Sequence, residues 1–313
     1  MPFKRSPKTF SASINAVTVG VGDKAITIGG ENVMPLHTFD APIENRPAVG
    51  VEVSDLGVDM TLPRQAEFYA GADDVVAQAV RAAGMPGADF MVLTLDSADP
   101  NGEDRSIDEC VATVKAVADA IDVPLAVQGC KNIEKDEQLL NKVAEALSGK
   151  NALILSAREE NYKTIAASAG LAYNQKLGAE SAVDINLAKQ LNVLVTQLGV
   201  QPASLVMNLG SAAAGYGFEY VASTMDRVKS AALEQNDQQL QMPVVTPVGS
   251  EAWGVKEAVV SEDDFPEWGP REDRGVQMEI STAAACLAGG SNAVILRHPE
   301  SIATISAFIA GLM

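Results

Sequence analysis

VGVEVSDLGVDM, residues 49–60, joins an apolar, β-branched run to a turn that lacks the glycine-rich phosphate loop of a doubly wound dinucleotide-binding sheet. The same unit, an apolar run followed by an amphipathic helical pattern, then repeats to the end of the chain. The runs are 49–53, 90–95, 124–127, 152–155, 171–173, 205–209, 244–248 and 293–296. Helical periodicity fills the intervals near 73–83, 106–121, 134–147, 159–169, 183–199, 218–235 and 275–288, with a last helix from about 299 to 311. Ser106-Ile107-Asp108-Glu109 is a capping box, and His298-Pro299 places proline in the first turn of the last helix with His298 as its cap. Strands that alternate with helices must run parallel and cross over right-handedly. Eight such units match a closed (β/α)8 TIM barrel, typically about 250 residues long, and an open doubly wound sheet is the lesser alternative. The barrel is expected over 47–313. Residues 1–46 form an N-terminal extension with a β-hairpin over 17–28 that turns at Gly22-Asp23.

Charge and cysteine content narrow the function. The 313 residues carry 41 acids against 23 bases, a formal net charge of -18, which opposes binding to nucleic acid or to anionic lipid. Cys110, Cys130 and Cys286 include no CxxC pair, so neither a zinc site, a redox dithiol nor an iron–sulfur cluster is expected in this chain. The N-terminal MPFKRSPKTF has no apolar signal region, and the longest uncharged stretch, 190–218, is broken by polar residues and proline. Together these predict a cytoplasmic protein that does not enter membranes.

In a barrel of this kind chemistry sits beyond the C-terminal ends of the strands. Those ends read Glu52, Ser54 and Asp55; Thr94 and Asp96; Gln128; Ser156; Asn174 and Gln175; Asn208; Thr246; and Arg297 with His298. The set is rich in amides and hydroxyls, which both donate and accept hydrogen bonds but are poor general acids and bases. A plainer reading is that they satisfy backbone groups at the strand ends. GxSxG, HExxH and P-loop motifs are absent, and Gly20-Val21-Gly22-Asp23-Lys24-Ala25 reads as a hairpin turn. Gly215-Tyr216-Gly217 opens a helix, so its amides can meet an anion or a ligand carbonyl, or simply let the chain enter the helix. Neither His37 nor His298 lies in a DxHxxG pattern that would supply an axial imidazole to a corrinoid.

The connection after the seventh run, GSEAWGVKEAVVSEDDFPEWGPREDRG (249–275), far exceeds the usual two to six residues. It holds both tryptophans, Trp253 and Trp268, and it reads either as a flap over the mouth or as a segment folded back on the barrel. Arg271 and Arg274 are placed just before a helix start, where they would pair with nearby acids or with a partner's carboxylate.

EWGPREDRG (267–275), MEISTAAACLAGGSNAVILRHPES (278–301) and LDSADPNGEDRS (95–106) resemble the small subunit of the corrinoid iron-sulfur protein, the acetyl-CoA decarbonylase/synthase delta subunit family. The resemblance extends over the whole chain. It implies a barrel paired with a large subunit that holds a [4Fe-4S] cluster and a corrinoid-binding domain, with cobamide, a vitamin B12-type cobalt corrinoid, shared between them. It also implies methyl transfer from methyl-tetrahydrofolate methyltransferase to acetyl-CoA synthase in the anaerobic, reductive acetyl-CoA (Wood-Ljungdahl) pathway of carbon dioxide fixation. Asp96, Gln128, Asn174, Asn208, Thr246 and Gly215 are then expected to face the cofactor, and Trp253, Trp268, Arg271 and Arg274 the partner or lid. No residue of this chain is expected to be catalytic, and no metal is expected to be bound by its side chains. The alternatives are a stand-alone pterin-binding methyltransferase that uses Asp96, Asn174 and Asn208, and a barrel that only docks partners.

Overall fold

A computed structural model describes residues 6–313. A short antiparallel hairpin comes first, β1 (Val17–Val19) and β2 (Ile26–Ile28). Eight parallel strands follow: β3 (Ala48–Ser54), β4 (Phe90–Thr94), β5 (Leu125–Gln128), β6 (Leu153–Ala157), β7 (Lys176–Glu180), β8 (Leu205–Asn208), β9 (Val245–Pro247) and β10 (Ala293–Leu296). Each pairs with the next from β3 to β8, β10 pairs with both β3 and β9, and a Met207–Val244 bridge joins β8 to β9, closing a barrel. The helices are α1 (Pro63–Phe68), α2 (Val75–Ala83), α3 (Ile107–Ala120), α4 (Ile133–Ala146), α5 (Tyr162–Ile165), α6 (Ile185–Gln197), α7 (Phe218–Leu233), α8 (Val248–Ala252), α9 (Lys256–Val259), α10 (Arg271–Gly289) and α11 (Pro299–Leu312).

Alternation along each strand divides the core in two. Val49, Val51, Met91, Leu93, Val127, Ile154, Leu177, Met207, Val244 and Val294 point outward and pack under the helices. Ala48, Phe90, Val92, Ala126, Leu153, Val206, Val245, Ala293 and Ile295 fill the barrel interior. The hairpin belongs to this inner cluster: Val17, Val19 and Ile28 seal the end of the barrel at which the strands begin. Asn151, just before β6, fixes the plug by donating its amide to the carbonyls of Thr18 and Gly20, both at 2.9 Å. A second tie is charged and buried. Lys229 of α7 bonds Glu31 and Asn292, and Asn292 also reaches Glu31. Among the described residues the strand-final end is the unplugged end of the barrel.

The caps follow the local sequence. Ser106 and Glu109 form the reciprocal box that opens α3, and His298 accepts from the Glu300 amide at the start of α11. Two expectations need correction. The fifth strand is Lys176–Glu180 rather than 171–173, and residues 166–172 form a π-helical turn. KLGAE is masked by a charge at each end and by Gly178, where an added Cβ would lie 2.6 Å from Leu155 Cδ2 and push that side chain aside. Secondly, α10 starts at Arg271, so Arg271 and Arg274 lie within its first turn rather than before it. Among the described residues no helix is long and apolar enough to cross a membrane.

Candidate functional site

The mouth is assembled from inward-facing residues at the ends of the strands. On β3, Glu52 accepts from Thr94 Oγ1 at 3.1 Å and from Arg297 Nη2 at 2.7 Å, while Ser54 donates to Asp96 Oδ2 at 2.6 Å. Burial works against the charge of Arg297, but Glu52, Glu279 and Asp96 together hold its guanidinium firmly protonated. Asp55 faces the other way and grips the turn after β4 through the backbone and hydroxyl of Ser97. Burial pushes its carboxyl up from the usual aspartate value, against those two bonds.

Across the mouth a second polar group forms. Arg158 donates to Glu180 Oε1 at 2.7 Å, and Asn208 donates to Ser156 Oγ at 3.1 Å and to Glu180 Oε2 at 3.4 Å. The Asn208 carbonyl oxygen takes the Gly210 amide at 3.0 Å, so this side chain is already occupied. Gln128 lies between the two groups at the end of β5. It is nearly buried, and its amide makes no hydrogen bond within the described residues.

Beneath Arg297 lies a fully buried carboxylate. Glu279 of α10 accepts from the backbone amides of Arg297 at 2.6 Å and His298 at 3.2 Å, and burial raises its pKa in spite of these donors. The His298 ring stacks on Trp253 with centroids 5.8 Å apart. Its Nδ1 accepts the Glu300 amide, which assigns the proton to Nε2, 3.0 Å from Glu272 Oε1. Glu272 also caps α1 through the amides of Arg64 and Gln65, and these bonds keep its pKa below the usual glutamate value despite burial.

The long connection folds over one side of this mouth as α8, α9 and a 3-10 turn at Pro266–Trp268. Arg274 clasps the carbonyls of Glu257, Val260 and Gly269. Arg271 reaches Asp59 at 3.0 Å, Thr61 at 3.0 Å and the Ala258 carbonyl at 2.9 Å. Trp268 stacks on Phe265 with centroids 4.6 Å apart and stays half-buried, with Lys256 and Arg274 over its ring. Arg271 therefore does pair with a nearby acid, whereas Arg274 holds carbonyls of the segment itself.

Of the residues named from sequence as facing a ligand, Asp96, Gln128 and Asn208 meet at the mouth. Gly215 lies on the rim in an exposed turn with φ +86° and open space around it. Asn174 and Thr246 do not belong to the mouth. Asn174 is exposed and precedes β7, at the plugged end of the barrel, because the fifth strand lies further along the chain. Thr246 is fully buried and points outward, bonded to Ser291 Oγ at 2.6 Å. The two-residue period shows the reason: Val245 faces inward, so Thr246 must face the helices. Arg158 and Glu180 were missed, although Glu180 has the inward parity of Gly178 and closes a strand.

A family model described as CO dehydrogenase/acetyl-CoA synthase delta subunit matches residues 16–297. The chain is similar to subunit delta 1 of the acetyl-CoA decarbonylase/synthase complex of Methanosarcina thermophila, with 32% identity over 91% of this chain and 66% of that one. It is likewise similar to subunit delta of that complex from Archaeoglobus fulgidus, with 31% identity over 91% and 64%. It thus spans about two thirds of the length of these relatives. Among solved structures, dihydropteroate synthase from Xanthomonas albilineans with 4-aminobenzoic acid superposes with a TM-score of 0.56 at 11% identity, covering 95% of this chain and 98% of that one. The Burkholderia cenocepacia enzyme complexed with 7,8-dihydropteroate gives 0.54 at 12%, covering 96% and 97%. At such identities the likeness is one of fold.

Proposed function

This chain belongs to the family of CO dehydrogenase/acetyl-CoA synthase delta subunits, and from that premise we propose that it is the small, non-catalytic subunit of a two-subunit corrinoid methyl carrier. In this reading a large subunit brings the iron–sulfur cluster and cobamide, and the barrel mouth covers one face of the corrin. The carrier takes a methyl group from a methyl-tetrahydrofolate methyltransferase and delivers it to acetyl-CoA synthase, in the cytoplasm.

The observation that carries the reading is the state of the mouth. Glu52, Asp96 and Glu180 are each tied on at least one oxygen by a neighbouring hydroxyl, amide or guanidinium, while the Gln128 amide has no partner among the described residues. That donor set suits cobamide, whose rim is a ring of carboxamides. Gln128 and the unpaired nitrogens of Arg297 can bond amide edges directly or through water. Exposed Leu56, Met60 and Tyr216 on loops, with Tyr220 at the start of α7 and Val259 at the end of α9, offer apolar contact to a partner or a macrocycle. When bound, cobamide supplies a nucleophilic metal centre, and this chain supplies shape, hydrogen bonds and exclusion of water. The pterin-binding alternative loses one member of its set, since Asn174 lies at the opposite end of the barrel.

The test compares the chain purified alone with the chain co-purified with its large subunit. The reading predicts neither iron nor a corrinoid spectrum in the first, and about one cobamide per heterodimer in the second. Methyl-pterin binding and methyl transfer by the isolated chain would overturn it.

A further inference from the structure

Off the barrel axis, between the end of β3, α1 and Trp253, lies a cleft of about 210 Å³. Sites that enclose a whole drug-sized molecule run to about 300–1,000 Å³. This one therefore has room for an arm of a ligand rather than for its body. One wall is apolar, made by Val58, Leu62 and the half-buried face of Trp253.

The opposite wall is polar and incompletely used. Glu52 spends Oε1 on Thr94 and Arg297, which leaves Oε2 without a partner among the described residues. Asp96 spends Oδ2 on Ser54 and leaves Oδ1 free. Arg297 spends Nη2 on Glu52 and leaves Nε and Nη1, with about a third of its side chain exposed. At the outer edge Asp59 and Arg271 neutralise each other at 3.0 Å. The cleft thus offers free carboxylate oxygens and free guanidinium donors a few ångströms apart.

That pairing selects for a neutral group. A ligand carboxylate would face Glu52 and Asp96, and their only cationic neighbour on the polar wall, Arg297, is already paired. A ligand ammonium would meet the guanidinium. A carboxamide answers both, its NH₂ donating to the carboxylates and its carbonyl accepting from Arg297. Resting on the function proposed above, we infer that this cleft seats one carboxamide arm of the cobamide, its methylene stem against Trp253 and Leu62. The arm would fix the rotation of the macrocycle over the barrel mouth. Such an anchor lies beneath the folded connection, so the arm enters beside Trp253.

The test uses the heterodimer and a set of cobamide monocarboxylates, each with a single carboxamide arm hydrolysed, titrated by absorbance. One isomer is expected to bind at least about tenfold more weakly than the parent, because its new charge meets two carboxylates. Asp96→Asn should remove most of that penalty for that isomer alone, with an unchanged melting temperature. Leu62→Trp, which fills the apolar wall, should weaken every isomer. If all isomers bind the wild-type complex equally, or Asp96→Asn leaves the ranking as it was, the arm is not seated here. A wild-type complex that holds no cobamide overturns the function and the arm together, whereas one that holds it without discrimination overturns the arm alone. If the isolated chain binds methyl-pterin and loses it on Asp96→Asn, the cleft belongs to a pterin and the inference falls.

Discussion

Gly275 lies early in α10 with the six-membered ring of Trp253 where its Cβ would stand. In an open helix interior, Gly→Ala gains about 1 kcal/mol from helix propensity. Here the added methyl has to displace an indole that also stacks on His298, and overpacking of this kind costs about 1–3 kcal/mol. Gly275→Ala is therefore expected to destabilise the protein in chemical denaturation; a clear gain would show that Trp253 is not packed as described. Glu31 gives a pH-dependent counterpart at the plugged end of the barrel. Burial opposes its ionisation, but Lys229 and Asn292 outweigh burial and hold its pKa below the ordinary value of 4.5. A lowered folded-state pKa means that this stabilisation is fully present above the ordinary glutamate range and is lost as pH falls through the folded value. Glu31→Ala strands Lys229, whose side chain is 3% exposed, and should cost about 3–5 kcal/mol at neutral pH while flattening the acid limb of the stability curve. An unchanged acid limb would place the titration elsewhere. Residue identity was readable from sequence where it depended on local pattern, as in the capping role of His298. It was not readable for Thr246 or Asn174, since the side that a residue faces depends on strand parity and on the true bounds of the strand.

At the scale of elements, the connection between β9 and α10 is the one that composition alone could not resolve. Its length and tryptophans suit a flap, yet Arg274 ties three of its carbonyls to α10 and Tyr216 holds Glu257 at 2.6 Å. Apart from the nearby Gly269 carbonyl, those bonds join groups more than a dozen positions apart in sequence, so no local pattern announces them. Arg274→Ala should make opening of residues 255–270 easier by about 2–4 kcal/mol, given the strength of charge-assisted hydrogen bonds, with little change in the barrel strands. Native-state amide exchange measures this directly. Uniform acceleration across the barrel would mean that the segment is integral to the core. The hairpin and the caps of α3 and α11 were legible because they are built from neighbours in sequence. β7 was not, because its ends are charged and its middle is glycine, and only its place between β6 and β8 makes it a strand.

At the scale of the molecule the eightfold rhythm was legible in all but its fifth strand, since strands buried on both faces mostly read as unbroken apolar runs. The mouth was legible only in part, because its charges pair across strands, Arg297 with Glu52 where the last strand meets the first of the barrel and Arg158 with Glu180 between β6 and β7. One end is plugged by Val17, Val19 and Ile28 and the flank is covered by helices, so among the described residues the strand-final mouth is the open end of the barrel, where the proposed cofactor would lie. Hydrogen–deuterium exchange of this chain, with and without the cobamide-loaded large subunit, tests that claim most directly. Protection should concentrate at the strand-final rim, in 54–61, 128–132, 210–217 and 249–275, and leave the 17–28 hairpin unaffected. Protection confined to the hairpin or to the outer helices would contradict the assignment of the mouth as the cofactor face.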